Sequence, residues 1–440
     1  MRQPLNNPEV HFLKYQIREI VDVVQKLKEI DPAKFFVMEN IGDPIAKSWT
    51  VPPFLKEAIV QEIQRPGDKV FGYSHSRGLP DVRKWVVDHA KKMCPSSNLD
   101  YEYVLFTSGL GSAIALVYEM LPQGFRVVQP APSYPTHSSM ESFFQKQDPI
   151  SYHLDPRNGW QPDMAHLEQQ IVAHPDVGAI LLINPNNPTG AVYEKETLEQ
   201  IVLLAQKYNL FIISDEVYFR MVYNGKHHTH IVDIAAGRVP LVVLRGLSKD
   251  LPWPGGRCGW IEFHDIDLDS EYRAYADALR QRILMEVCST SLPQFIVRAV
   301  YDHPEFSAWI AGYNQELEKN GNFIAETLSR VPGMRVNRTD GAFYMMPLFE
   351  EGVLNNRQTL PIENDAVRTF IESAVNRSDF PLDQRFTYYL LGATGICVVP
   401  ATGFYSPHYG FRLTTLERDD AKRKDTYERL AGAITQYLSS

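Results

Sequence analysis

Apolar residues recur every three or four positions across residues 11–30 (HFLKYQIREIVDVVQKLKEI), where Ile17, Ile20, Val21, Val24 and Leu27 share one face. That spacing predicts an amphipathic helix, ended by Asp31-Pro32. A loop follows, with turn signals at Gly42-Asp43-Pro44 and Pro52-Pro53. Beyond residue 70 the pattern changes to short, nearly continuous apolar runs. Val104–Thr107, Arg126–Gln129, Ala179–Asn184, Leu210–Ser214, Leu241–Arg245 and Gly259–Glu262 are predicted strands, separated by helical stretches such as Tyr193–Tyr208. Strands without polar alternation, interleaved with helices, imply an α/β fold: a mostly parallel sheet flanked by helices on both faces. The last third mixes helical segments (Pro304–Arg330, Asp365–Asn376, Leu416–Leu438) with short runs at Gly341–Pro347 and Gly395–Pro400. It predicts a second, smaller α+β domain. The expected division is 1–65 as an N-terminal arm and part of the small domain, 66–310 as the large domain, and 311–440 as the C-terminal small domain.

Length and composition narrow this little. At 440 residues and 44% hydrophobic, the chain can bury at least one large core, and two domains are the default expectation. The net charge of -9 is spread along the chain, with no basic block of the kind that binds nucleic acid or a membrane surface. Four scattered cysteines (Cys94, Cys258, Cys288, Cys397) form no CxxC pair, which argues against a disulfide framework or a metal site and for a reducing, cytoplasmic setting. The N-terminus has no apolar signal core, and no apolar run is long enough to span a bilayer.

Open sheets of this class bind ligands beyond the carboxyl ends of their strands. Four polar groups fall there. The run Ala179–Asn184 leads into Asn184-Pro185-Asn186-Asn187-Pro188-Thr189-Gly190; Leu210–Ser214 leads into Asp215-Glu216-Val217-Tyr218. Leu241–Arg245 leads into Gly246-Leu247-Ser248-Lys249, with Arg257 eight residues on, and Val104–Thr107 leads into Ser108-Gly109-Leu110-Gly111-Ser112 at a helix start. Each has an ordinary explanation by itself. A lysine after a strand is usually solvated, an aspartate there is usually a helix cap, a tyrosine packs, and NPxNPTG is a turn. Gly109 and Gly111 match GxG, but Ile114 replaces the third glycine of a dinucleotide fingerprint. Their meeting at one sheet edge is what ordinary explanations do not supply.

In order and spacing these segments resemble fold type I pyridoxal-phosphate (PLP) enzymes, specifically the class I/II aminotransferases. NPxNPTG, SDEVY, LSKD and GGRCGW carry the resemblance, which runs from Gly42-Asp43-Pro44 to Gly410-Phe411-Arg412. It implies a PLP-dependent transfer of an amino group from an L-amino acid to a 2-oxo acid, with Lys249 forming the internal aldimine and serving as proton carrier. It further implies that Asp215 pairs with the pyridine nitrogen, that Tyr218 and Asn187 bond the ring 3-oxygen, and that Tyr134 stacks on the ring. The phosphate falls to Arg257, to the loop Gly109, Leu110, Gly111 and Ser112, and to Ser248. Tyr73 matches a tyrosine that reaches the phosphate of the neighbouring subunit, which implies a homodimer. Arg412 matches the arginine that grips the substrate α-carboxylate, and Gly42 the loop that closes over it, with Asn187 beside it.

Two positions depart from the family pattern: Arg245-Gly246 stands where a serine is common, and Gly111 where relatives carry Ser or Thr. Both bear on phosphate contacts alone. PLP-dependent β-lyases and aminocyclopropane-carboxylate synthases share the fold and are the alternative; the KDLPWPGGRCGW stretch favours transamination. A PLP-binding transcription regulator needs an upstream winged-helix domain, and residue 42 already belongs to the substrate loop. For a second substrate carboxylate the candidate cations are Lys47, Arg77 and Arg282; for an apolar pocket, Trp49, Tyr405 and Phe343. Cys288-Ser289-Thr290-Ser291 is a candidate border contributed across a dimer.

Overall fold

The computed structural model describes residues 5–13 and 16–440. Its centre is an eight-stranded sheet in the order Val104–Thr107, Gly259–His264, Leu241–Gly246, Phe211–Asp215, Val177–Ile183, Arg126–Ala131, Ile150–Asp155, Gln161–Pro162. The five strands from Leu241–Gly246 to Ile150–Asp155 pair in parallel. Gly259–His264 runs against both its neighbours, and Gln161–Pro162 closes the far edge antiparallel. The central strands are buried along their length, as strands covered on both faces must be. One apolar cluster packs under each face, built around Val128, Ile180 and Val243 on one side and Val127, Leu181 and Val242 on the other.

Val104–Thr107 is as predicted, and the other predicted strands differ by one or two residues at their ends. Ile150–Asp155 and Gln161–Pro162 are additions. The predicted helix at 11–30 crosses residues 14 and 15, which lie outside the described residues; the described helix is Gln16–Ile30, preceded by a short 3-10 turn at Pro8–Phe12. The predicted helix at Leu416–Leu438 begins only at Asp420, because the Asp419 carboxylate caps the amides of Ala421 and Lys422.

Outside the sheet, a third large apolar cluster joins Ile20, Val24 and Leu27 of the first helix to Ile324, Phe386, Ile396 and Tyr437 near the C-terminus. Val37–Met38 pairs in parallel with Ile396–Cys397, and Phe411–Thr414 lies between Tyr344–Met345 and Val399–Pro400. The first helix also reaches the other side, because Ile17 packs into the cluster that includes Val128 and Ile180. Among the described residues no helix is long and apolar enough to cross a membrane.

Candidate active site

Register explains why distant motifs meet. Asp215 stands level with Ile183 on one side and Leu244 on the other, so three parallel strands end together. The residues just beyond those ends include Asn187, Asp215, Tyr218, Ser248 and Lys249, and all five line one cavity of about 600 Å³. Gly259 begins the antiparallel strand opposite both Thr107 and Gly246, so Arg257, two residues earlier, arrives at that same edge. Leu110, Gly111, Arg257, Tyr134, Gly42 and Arg412 complete the cavity from other segments.

The Lys249 amine is half-buried and donates to the Gly42 carbonyl at 3.3 Å, 5.4 Å from the centre of the Phe343 ring. Asp215 is 3% exposed, and its Oδ2 lies 3.2 Å from His137 Nε2. Tyr118 Oη lies 3.1 Å from the other nitrogen of that imidazole. One neutral tautomer satisfies both contacts: Nε2–H donates to the carboxylate while Nδ1 accepts from the phenol. Asp215 Oδ1 also accepts from the Val217 amide at 3.1 Å. The Tyr218 hydroxyl, 3.4 Å from Tyr344 Oη, is held well above the ordinary phenol range by burial and by that neighbour.

Arg412 is buried on strand Phe411–Thr414 between the rings of Tyr344 and Phe404. Its Nη1 donates to Asn187 Oδ1 at 3.3 Å and its Nη2 to the Asn40 carbonyl, while Nε has no protein partner. Gly42 must be small, since a Cβ there would overlap the Tyr344 hydroxyl. Gly109 is constrained twice over: its φ is +87°, and a Cβ would run into the Arg257 guanidinium. That guanidinium donates to the carbonyls of Pro254 (3.1 Å) and Ser108 (3.4 Å), beside the start of helix Leu110–Glu119. The first amides of a helix have no intrahelical acceptor, so this corner offers N–H groups and a cation together.

Three sequence candidates lie off the cavity wall. Gly109 backs it, Ser112 donates to the Ser108 carbonyl at 3.3 Å, and Tyr73 is 88% exposed on the outside of the chain. The candidate second cations are committed elsewhere: Lys47 to Glu39 at 2.6 Å, Arg77 to Glu102 at 3.1 Å and Arg282 to Glu119 at 2.8 Å. Trp49 donates to the Leu416 carbonyl and packs on Tyr313, and neither it nor Tyr405 lines the cavity. Sequence reasoning missed Arg18, which lines the cavity mouth beside Ile17 and forms no ion pair with another described residue. It also missed His137, and Tyr344, the neighbour of the Phe343 it named. Arg245, the departure from the family pattern, turns away from the cavity into a buried cluster. There it donates to Glu216 at 2.8 Å and to Glu262 at 3.3 Å.

Comparison with known proteins bears on what such a cavity belongs to. Residues 40–430 match the family described as aminotransferase class I and II. The chain belongs to that family. It is similar to an uncharacterized aminotransferase of Methanocaldococcus jannaschii, MJ1479, at 41% identity over the full length of both chains. An alanine aminotransferase of Mycobacterium tuberculosis is 30% identical, over 90% of this chain and 85% of its own. Among solved structures, an alanine aminotransferase from Pyrococcus furiosus superposes with a TM-score of 0.83 at 26% identity, covering 97% of this chain and all of its own. As a class I/II aminotransferase the protein is an enzyme, a transaminase, on the fold type I scaffold.

Proposed function

We propose that this aminotransferase binds pyridoxal 5′-phosphate in the cavity, carries it covalently on Lys249, and moves an amino group between an L-amino acid and a 2-oxo acid. The observation that carries the reading is the meeting of the Lys249 amine, the buried Asp215 carboxylate and the guanidiniums of Arg257 and Arg412, with Arg18 at the mouth, around one cavity of about 600 Å³. Three features favour a fit to the cofactor. The amine has a backbone carbonyl as its protein hydrogen-bond partner, the Arg412 Nε is buried without one, and the corner of Gly109, Leu110, Gly111 and Arg257 suits a phosphate. When bound, PLP supplies an electron sink that stabilises charge developing at the substrate Cα.

The chain's residues then divide the work. Asp215, oriented by His137, faces the pyridine nitrogen and keeps it protonated. Tyr218 and Asn187 hold the ring 3-oxygen, and Tyr134 covers a ring face. Ser248 joins Arg257 at the phosphate, while Ser112, bonded to the Ser108 carbonyl, stays behind the wall. Arg412 grips the α-carboxylate with Asn187, which fixes the Cα–H bond for proton removal by the freed Lys249 amine. Gly42 lets its loop lie close over that carboxylate.

For substrate we carry over alanine from the relatives named alanine aminotransferases, and glutamate, a dicarboxylate, from an Escherichia coli relative named glutamate-pyruvate aminotransferase. Arg18, at the cavity mouth without an ion pair to another described residue, is the cation for the distal carboxylate. We further propose the domain division 1–65, 66–310 and 311–440, a homodimer in which Tyr73 completes the neighbouring site, and a cytoplasmic location, in keeping with four free cysteines. The test is an absorbance spectrum of the purified protein with PLP and a panel of amino acids, together with 2-oxo acid formation. Wild type is expected to hold a cofactor band that an amino acid converts; Lys249→Ala is expected to lose that band and all turnover. Normal turnover in Lys249→Ala would overturn the reading.

A further inference from the structure

We propose that Glu216, His228 and His230 form a zinc-type divalent-metal site behind the sheet edge, apart from the catalytic cavity. Asp215 and Glu216 are consecutive, and their side chains part: Asp215 lines the cavity, while Glu216 enters the buried cluster around Arg245. His228 and His230 approach that cluster from the segment after Tyr223, their rings 4.8 Å apart and nearly perpendicular.

The unusual feature is that three imidazole nitrogens here are buried without a hydrogen-bond partner among the described residues. The His228 side chain is 5% exposed, yet neither of its nitrogens makes a hydrogen bond, and His230 Nδ1 is buried and unpartnered as well. Buried polar groups left unsatisfied are costly, so two at one point need a reason. One nitrogen of each ring lies near the same atom: Glu216 Oε2 is 3.8 Å from His228 Nε2 and 3.9 Å from His230 Nδ1. These separations are too long for hydrogen bonds. They are close to the roughly 3.3–3.4 Å between ligand atoms on a tetrahedral ion whose bonds are ~2.0–2.1 Å. The three ligand atoms all lie within 4.8 Å of one another.

Two imidazoles with one carboxylate are the donor set of zinc, with a fourth position for water. Imidazole ligates as the neutral ring. Arg245 opposes a cation here, because it already donates to Glu216 Oε2 at 2.8 and 3.2 Å. The wider cluster favours one. Three carboxylates, Glu216, Glu262 and Asp250, face two guanidiniums, Arg245 and Arg220, with His264 3.1 Å from Glu262 as a further partner. An ion would tie the 224–230 loop to the strand end that presents Asp215.

The experiment uses the full-length holoenzyme, stripped with a chelator, re-equilibrated with Zn²⁺, desalted, and assayed for zinc per chain by mass spectrometry. Wild type and His227→Ala, in which only an exposed neighbouring histidine is removed, are expected to retain one zinc per chain. His228→Ala/His230→Ala is expected to retain none. Co²⁺ added to the stripped wild type is expected to give the visible ligand-field bands of a tetrahedral site, a readout that does not depend on the folding of any variant. Zinc content in wild type no higher than in the double variant, or Co²⁺ without tetrahedral bands, would overturn the proposal.

Discussion

Gly109 shows how much one missing methyl group decides. Its positive φ strains any side chain, and an alanine Cβ there would have to displace the Arg257 guanidinium. Strain of about 1–2 kcal/mol from φ alone corresponds to roughly 5–30-fold. Gly109→Ala is therefore expected to weaken PLP binding by at least that factor, measured by titrating stripped protein with the cofactor. Wild-type affinity would mean that this corner does not hold the phosphate. Arg18 makes the complementary case at the substrate end. Arg18→Ala is expected to raise KM for glutamate and 2-oxoglutarate by about tenfold, the scale of a hydrogen bond to a charged group. KM for alanine should scarcely change. An equal rise for both substrates would place Arg18 at the α-carboxylate or in the framework.

At the level of elements, the helix Leu382–Thr394 is anchored by a buried acid. Asp383 accepts from the Thr402 amide and hydroxyl, both at 2.9 Å, yet burial pushes its carboxyl up to about 6 from 3.8. The folded chain thus holds this proton more tightly than the unfolded chain between about pH 4 and 6. Stability from this group is greatest below pH 4 and is lost as pH rises through 6; the full effect is on the order of 3 kcal/mol. Asp383→Asn is expected to flatten that part of the melting-temperature profile against pH, and an unchanged slope would assign it to other groups. Sequence pattern located the central strands because they are apolar throughout. It missed Ile150–Asp155, whose exposure alternates and whose Ser151 and His153 break the apolar run. It named Phe343, whose ring lies 5.4 Å from the Lys249 amine without lining the cavity, and missed its neighbour Tyr344, which does line it.

The whole molecule presents apolar side chains that its other described residues leave exposed. Phe71 (70% exposed), Tyr73 (88%), Met285 (74%) and Val287 (53%) come from two segments brought together where Ser291 Oγ donates to the Gly72 carbonyl at 3.0 Å. Light scattering is expected to give twice the chain mass, and an active monomer would remove Tyr73 from the site. Motifs at strand ends were legible from sequence because their spacing follows strand length. Arg18 was not, because only the packing of Ile17 on one core and Ile20 on another brings that helix to the cavity.

That helix also has a history during synthesis. Ile20, Val24 and Leu27 leave the ribosome early, but their partners Ile324, Phe386 and Tyr437 are made last. At roughly 5–20 residues per second, the ~300 intervening residues take on the order of 15–60 s. Throughout that interval a nascent chain carries an uncovered apolar stripe, so this helix is where a holding chaperone would be needed, and where a message cut short would leave a product prone to clump.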